Sequence, residues 1–279
     1  MNKLSIERQA QIIKVLCEGN SIRSTARITN SSINTVVKLL KEAGNACLKY
    51  QDEHIKNLTT KRIECDEIWS FCHAKEENLP IEIKDKFGYG NVWTFVAIDA
   101  DTKLCVSWLV DEREPDYALD FLRDVKGRLT NRVQLTSDGH HMYFYAVQAS
   151  FGDDVDYAMI IKHYGKPYPS EDGAVRYSPT RIRNIKAKLV KGNPNIKKIS
   201  TSYVERQNLT MRMNMRRFTR LTNGFSKKIE NHILAIALYF MHYNFVKTHK
   251  SLANPYLRTP AMAAGLTDHI WSYEEFVRL

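Results

Sequence analysis

The amino-acid sequence predicts an α/β fold in which a mixed sheet is flanked by helices and preceded by an all-α segment. Short β-branched runs alternate with longer helical patterns from residue 62 onward. Residues 5–43, in contrast, carry helical periodicity alone. The chain has 279 residues and a hydrophobic fraction of 43%, so it is long enough and apolar enough to bury a substantial core.

Charge and cysteine usage narrow the functional class. Lys and Arg number 41 against 31 Asp and Glu, and the net charge of +10 favours an anionic partner such as nucleic acid. Five scattered cysteines form no C-x-x-C pair, which is typical of reduced cytosolic thiols. Cys65, Cys72 and His73 could ligate a metal ion, but their spacing matches no common zinc pattern and favours packing.

Membrane insertion is not expected from this sequence. The first ten residues are mostly polar and do not resemble a signal peptide. The longest apolar run, Ile233–Met241, is too short to span a bilayer. We therefore expect a soluble, cytoplasmic protein that is associated with the nucleoid and has no membrane partner.

Residues 5–43 contain three short helical patterns separated by turns. A turn at Gly19 ends the first, and Ser31 or Ser32 caps a third that is expected to end at Gly44. This outline is that of a helix-turn-helix unit, although a generic three-helix packing unit has the same pattern. A polar outer face on the third helix favours DNA binding. Its candidate DNA-contacting residues are Asn34, Thr35, Lys38 and Lys41.

The first predicted strand, Arg62–Phe71, carries Asp66 near its middle. An acid in the middle of a strand is costly unless it is paired or bound to a metal ion. Strand alternation puts Glu64 on the face of Asp66 and Glu67 on the opposite face, so both are rival candidates for a ligand.

The following elements complete the predicted sheet. Val92–Asp99 and Lys103–Val110 predict an antiparallel hairpin, in which Asp99 is either a metal ligand or, as we favour, a turn residue. A strand over Arg132–Thr136 leads into Asp138, a position where open α/β sheets build their sites. The other predicted elements are a surface loop over Ala74–Gly90, helices over Pro115–Leu129 and His140–Ser150, and a strand over Tyr157–Lys162.

A strongly basic segment, Lys166–Lys198, follows the fifth strand. Nine Lys or Arg outnumber two acids there. This segment is either a solvated loop or a nucleic-acid contact, and its position just before an arginine-rich helix favours contact at least equally. Its candidate DNA-contacting residues are Arg181 and Arg183.

The most unusual stretch covers residues 200–225. A Ser-x-x-Glu pattern at Ser202 predicts a helix start, so Glu205 is either a capping residue or a metal ligand. Helical spacing puts Arg212 on the face of Glu205, and Arg216 extends this ridge by one turn. A carboxylate beside a basic ridge is typical of a metal-dependent site acting on a phosphate backbone. The other arginines of this stretch are Arg206, Arg217 and Arg220.

Through these motifs the chain resembles the DDE transposases, and most closely the insertion-sequence-one family. The resemblance covers roughly residues 62–267, and the block around Glu205 is its most specific part. The motifs that carry it are CDEIWSF around Asp66, SDG around Asp138, TSYVERQNLTMRMNMRRFTRLTNGFSKK around Glu205, and HYNFVKTHKSL with RTPAMAAG further on.

The resemblance implies a ribonuclease H-like catalytic domain with Asp66, Asp138 and Glu205 as its catalytic and metal-binding triad. It also implies two Mg²⁺ ions, for which Mn²⁺ is expected to substitute, and a homodimer or higher oligomer bound to transposon ends and target DNA. Arg212 would occupy the basic position that often follows the glutamate in these enzymes. Rival interpretations are a nuclease or resolvase of the same fold and a non-catalytic DNA-binding regulator.

The expected domain division has four parts. Residues 1–50 form the helix-turn-helix domain, 51–61 a linker, 62–224 the catalytic domain, and 225–279 a helical extension that packs on the catalytic domain. The candidate DNA-contacting residues on the arginine-rich stretch are Arg206, Arg212, Arg216 and Arg217.

Overall fold

The computed structural model of the chain describes residues 4–84, 86–165, 182–219 and 222–279. Its strands are β1 (Arg62–Cys72), β2 (Gly90–Asp99), β3 (Cys105–Asp111), β4 (Val133–Asp138), β5 (Val155–Tyr164) and β6 (Ile182–Lys191). Its α-helices are α1 (Ile6–Cys17), α2 (Ile22–Ile28), α3 (Ile33–His54), α4 (Pro115–Gly127), α5 (His141–Phe151), α6 (Ser202–Asn214), α7 (Ile229–Met241), α8 (Pro260–Ala263) and α9 (Tyr273–Val277).

The six strands form one mixed sheet in the order β3-β2-β1-β4-β5-β6. β2 pairs antiparallel with β1 and β3, whereas β4 pairs parallel with β1 and β5. The five predicted strands are confirmed, and the topology is compatible with a ribonuclease H-like fold. Since Cys65 of β1 pairs with Ser137 of β4, the next residue of each strand, Asp66 and Asp138, is brought to the same level of the sheet.

Helices cover both faces of the sheet, as the strand alternation requires. Ile63 and Cys65 of β1 belong to the core cluster that includes the buried side chains of α4 and α5. Ile68 and Cys72 of the same strand belong to a second cluster, with buried side chains of α6 and α7. Strand β1 is therefore held between two layers of helices.

The three N-terminal helices begin where the sequence predicts. Ser5, Ser21 and Ser32 each accept a hydrogen bond from a backbone N–H in the first turn of α1, α2 and α3. The predicted end of the third helix at Gly44 is wrong, because α3 continues to His54 and includes the first residues of the predicted linker.

Gly44 instead allows a close contact between α3 and α7. A Cβ atom at this position would lie 2.7 Å from the Cβ atom of Leu234 on α7, so only glycine lets the two helices approach this closely. Gln51 adds a second tie, since its Nε2 donates to the carbonyl oxygen of Ala237 at 3.1 Å. The N-terminal helices thus share one core with the sheet domain.

The described part of the basic segment after β5 contains a strand and is not the solvated loop that was one of its two interpretations. This strand is β6, which pairs antiparallel with β5 and forms an edge of the sheet. Eight of its ten residues are exposed, so backbone pairing and not side-chain burial holds it in place. Sequence alternation gave no signal for this strand, because neither of its faces is covered.

Two expectations from composition can be compared with the structure. All five cysteines are buried free thiols, and the groups of potential metal ligands among the described residues include none of them. Across the described ranges, no helix has the length and apolar character needed to cross a bilayer.

Candidate active site

Two of the three predicted ligands, Asp66 and Asp138, meet at the centre of the sheet. Oxygen atoms of Asp66, Glu67 and Asp138 all lie within 4.8 Å of one another. Glu205 is not a member of this cluster. Glu67, which was predicted to be a rival on the opposite strand face, takes part because its long side chain reaches the same end of β4.

Asp66 lies in an environment that disfavours its negative charge. Its Oδ2 accepts one hydrogen bond, from Nδ2 of Asn208 on α6 at 2.9 Å. Burial, together with the charges of Asp138 and Glu205, raises the pKa of Asp66 to about 7. Two acids from two other elements, Asp138 on β4 and Glu205 on α6, therefore repel the Asp66 carboxylate, and a divalent cation would relieve that repulsion.

Glu205 holds a different set of contacts. Its Oε1 accepts hydrogen bonds from Nζ of Lys162 on β5 and from the Thr201 hydroxyl. The N-cap of α6 is Thr201, without the side-chain bond of a capping box, so the predicted Ser202 capping box is wrong. Glu205 lies beyond the capping positions and is free to serve another role.

The carboxylate that caps α6 comes from β1. Oε2 of Glu64 accepts the backbone N–H groups of Tyr203 at 2.7 Å and Val204 at 3.1 Å. A negative charge at a helix N-terminus is stabilised by the unpaired N–H groups and by the helix dipole. Glu64 is buried, and it fixes the start of α6, and with it Glu205, on the face of β1 that carries Asp66.

Arg113 supplies positive charge on the other side of the cluster. Its Nη2 lies 3.2 Å from Oε2 of Glu67 and 3.8 Å from Oδ2 of Asp138. Its guanidinium also lies over the ring of Trp93, 4.5 Å from the centroid. Burial and the charge of Asp138 raise the pKa of Glu67 to about 8, so near neutral pH this carboxyl holds its proton more readily than an exposed one.

Asp99 has the structural role that we favoured. Its Oδ1 accepts the backbone N–H groups of Asp101 at 2.8 Å and Thr102 at 3.3 Å, which closes the turn after β2. Asp99 is not part of the carboxylate cluster.

The predicted DNA-contacting residues of α3 lie near its start. Asn34 and Lys38 are exposed, and Lys38 is 3.6 Å from Glu42. Thr35 is bonded to Ser32 in the helix cap. The Lys41 ammonium pairs with Glu230 of α7 at 2.9 Å, so a phosphate would have to compete with this pair.

The continuous arginine ridge predicted for α6 is wrong, because the helix ends at Asn214. Met215 is buried in an extended conformation, and Arg216–Phe218 form a separate short turn. A Cβ atom on Gly19 would lie 2.5 Å from the carbonyl oxygen of Asn214, so the turn after α1 abuts the end of α6.

The individual arginines therefore differ in environment. Arg206 and Arg216 are exposed, as is Arg183 on β6, and Arg212 is partly buried. Arg217 donates to Oγ of Ser226 at 2.8 Å, and burial lowers its pKa to about 10, which does not favour a role in DNA contact. Arg181 and Arg220 lie outside the described residues.

Sequence reasoning missed the polar partners of the three acids. Asn208 could have been found, because it follows Glu205 by three residues and so shares its helix face. Lys162 and Arg113 gave no such signal, because both lie far from their acidic partners along the chain. The paired charges identify them only once the fold is known.

No protein-family model and no curated protein matches this sequence. Among solved structures, a cryo-EM structure of a piggyBac transposase synaptic complex with hairpin DNA is similar to the chain at 10% identity, with a TM-score of 0.44. The alignment covers 100% of this chain and 70% of the transposase chain. A likeness of this degree decides neither the family nor the activity.

Proposed function

We propose that this protein is a DNA transposase that binds the terminal inverted repeats of an insertion sequence and catalyses metal-dependent strand cleavage and strand transfer. The observation that carries the proposal is the arrangement of Asp66, Asp138 and Glu205 on β1, β4 and α6. Two of these carboxylates meet, and the charge of the third acts on Asp66.

The donor set fits Mg²⁺, and by the same chemistry Mn²⁺. Mg²⁺ prefers hard oxygen ligands, and oxygens of Asp66, Glu67 and Asp138 lie within 4.8 Å of one another. Buried Oδ1 of Asn208 has no hydrogen-bond partner among the described residues, so the site has an unused acceptor beside Asp66. Asp66 and Asp138 would hold the metal, with Glu205 or Glu67 as the third acid. Two bound ions would activate the attacking oxygen and neutralise the leaving one.

The reaction itself is phosphoryl transfer. Water attacks at the element end, and the 3′-hydroxyl thus released then attacks target DNA; in each step one P–O bond forms in line as another breaks. The protein's own residues position the strand. Exposed Arg206 and Arg216 are suited to grip phosphate oxygens on the flanking backbone, because guanidinium binds them in bidentate fashion.

Glu205 and Lys162 would respond to metal binding. In the described conformation the Lys162 ammonium neutralises the Glu205 carboxylate. Glu205 can turn toward Asp66 only when this pair opens, so the lysine is a competitor of the metal for the third acid. We assign end recognition to the N-terminal helices and expect at least a homodimer, because two ends must be joined in one complex.

A strand-transfer assay with a labelled inverted-repeat end and plasmid target tests the proposal. Asp66→Asn, Asp138→Asn and Glu205→Gln are each expected to lower joining at least ~100-fold, because each removes several kcal/mol of transition-state stabilisation. Binding of the pre-cut end should change little. Asp120→Asn, an exposed acid on α4, is the matched control and should join normally.

The same assay separates the rival functions. Cleavage without joined product would favour a nuclease or resolvase, and end binding without cleavage would favour a regulator. The variant Glu67→Gln tests whether Glu67 or Glu205 is the third metal-binding acid. If this variant is inactive while Glu205→Gln joins normally, Glu67 and not Glu205 completes the site.

A further inference from the structure

A cavity of about 450 Å³ lies between the N-terminal helices and the sheet domain. One wall consists of the end of α1, the turn at Gly19, the start of α2, and Leu40 of α3. The opposite wall consists of residues 214–217, residues 223–227 and part of α7. The acids of the candidate active site are not among the lining residues, so this cavity is a separate feature of the molecule.

The charged side chains that line the cavity are all basic. They are Arg23, Arg216, Arg217 and Lys227, and no described lining residue is acidic. Arg23, Arg216 and Lys227 are exposed, so their charge is presented to solvent. A concave surface that carries one sign of charge attracts ions of the opposite sign, and guanidinium groups match the geometry of phosphate. The cavity is therefore suited to a phosphorylated ligand.

The remainder of the wall includes a set of aliphatic side chains. They are Leu16, Ile22, Leu40, Ala235 and Leu238. An inorganic anion would leave this apolar surface in contact with water, whereas a ligand with an organic body would cover it. The volume lies in the range of pockets that bind small organic molecules, and a DNA duplex is too wide to enter it.

The cavity wall also contains a buried acceptor that the fold leaves unused. Oδ1 of Asn231 is buried and has no hydrogen-bond partner among the described residues. A buried acceptor without a donor lowers stability, and an N–H group of a ligand would satisfy it. A nucleobase with an amino group combines such a donor with a flat apolar body.

Two close backbone contacts define the shape of the cavity. A Cβ atom on Gly19 would lie 2.5 Å from the carbonyl oxygen of Asn214, so the two walls touch at this point. A Cβ atom on Gly224 would lie 2.7 Å from the carbonyl oxygen of Arg216, so residues 223–227 pack against the short turn that carries this arginine. A cavity whose walls are already in place lowers the entropic cost of binding a ligand.

We propose that this cavity binds a free nucleoside phosphate, an inference that does not depend on the proposed function. The phosphates pair with Arg23, Arg216 and Lys227. The base lies against the aliphatic wall, where Oδ1 of Asn231 accepts an N–H group from it. A nucleotide in this position contacts both the N-terminal helices and the sheet domain, and so stabilises their contact.

Isothermal titration calorimetry of the full chain with ADP tests the inference. EDTA is present, so that no divalent ion carries ADP to the carboxylate cluster. ADP is expected to bind at least ~10-fold more tightly than pyrophosphate, because the apolar wall holds its nucleoside. Arg23→Gln is expected to weaken ADP binding about 5- to 20-fold by removing one charged partner of the phosphates. Arg27→Gln is the matched control, because Arg27 is also an exposed arginine of α2 and does not line the cavity.

A second variant reports on the base. Asn231→Leu keeps the branched shape of the side chain and removes its polar atoms. It is expected to weaken ADP binding about two- to tenfold and to leave pyrophosphate binding unchanged. Without ligand, its Tm should equal or exceed that of the wild type, because a buried acceptor without a partner is removed.

Three results would overturn the inference and leave the transposase proposal intact. The first is that the wild-type chain does not bind ADP, and the second is that pyrophosphate binds as tightly as ADP. The third is that Arg23→Gln binds ADP as the wild type does but binds a 12-base-pair DNA duplex more weakly, because the basic wall would then serve DNA. Failure of strand transfer in a chain that binds ADP as expected would refute the proposed function alone.

Discussion

The partly buried carboxylate of Asp66 leads to a direct prediction about the stability of the metal-free protein. Replacing it by the isosteric amide in Asp66→Asn should abolish strand transfer and yet stabilise the metal-free protein at pH 8. The reason is that burial, together with Asp138 and Glu205, raises the pKa of Asp66 from 3.8 to about 7. The amide keeps the hydrogen bond from Asn208 and carries no charge to bury.

The direction of the pH dependence follows from proton linkage. Below pH 3.8 the folded and unfolded chains both hold the Asp66 proton, so the group costs no stability there. As the pH rises, the unfolded chain releases its proton first, and the folded state loses stability until about pH 7, where the cost is complete. A shift of this size corresponds to about 4 kcal/mol, and we expect roughly half of it after local relaxation.

Thermal melting in EDTA at pH 5 and pH 8 measures this effect. For a chain of this length, ~2 kcal/mol corresponds to a Tm about 4 °C higher for Asp66→Asn than for the wild type at pH 8, with a smaller difference at pH 5. Adding Mg²⁺ should raise the Tm of the wild type more than that of the variant. Asp120→Asn is the control and should show no pH-dependent difference. If Asp66→Asn melts at or below the wild-type Tm at pH 8, the charge of Asp66 does not destabilise the folded protein and this reasoning is wrong.

Three further predictions concern the frame of the site. Glu64→Ala removes the oxygen that accepts the Tyr203 and Val204 N–H groups and should lower the free energy of unfolding in urea by about 1–2 kcal/mol, and an unchanged value would exclude a capping role. Lys162→Met removes the ammonium that competes for the α6 carboxylate, so its Tm should rise at lower Mg²⁺ concentrations than that of the wild type; an unchanged midpoint would count against this competition. Gly44→Ala should destabilise the protein by ~1–3 kcal/mol, because its Cβ would press on Leu234, whereas Gly127→Ala, with open space around it, should be neutral or stabilising. Equal effects of the two alanines would contradict the close helix contact.

Because the N-terminal helices share a core with the sheet, DNA recognition is better tested by surface substitutions than by truncation. A truncation within α3 would expose the core contact at Leu234 and confuse loss of binding with loss of folding. Asn34 and Lys38 on α3 are better targets, because both residues are exposed.

Local sequence patterns were sufficient for most of the elements. β1 to β5, α4 and α5 were predicted because each has one or two buried faces, and burial imposes alternation or helical periodicity on the residues themselves. Asp66 and Asp138 could be singled out for the same reason: an acid inside or at the end of a buried strand departs from that pattern. The prediction that Glu205 lies on a helix also rested on local sequence alone.

Only the tertiary structure decided which groups surround these acids. The capping of α6 by Glu64, the pairing of Glu205 with Lys162 and the approach of Glu67 to Asp138 join residues from separate elements. Such contacts depend on strand register and helix position, which produce no periodic pattern in a single sequence. The same holds for β6, which is held by backbone pairing with β5, and for the end of α6, which lies against the turn at Gly19.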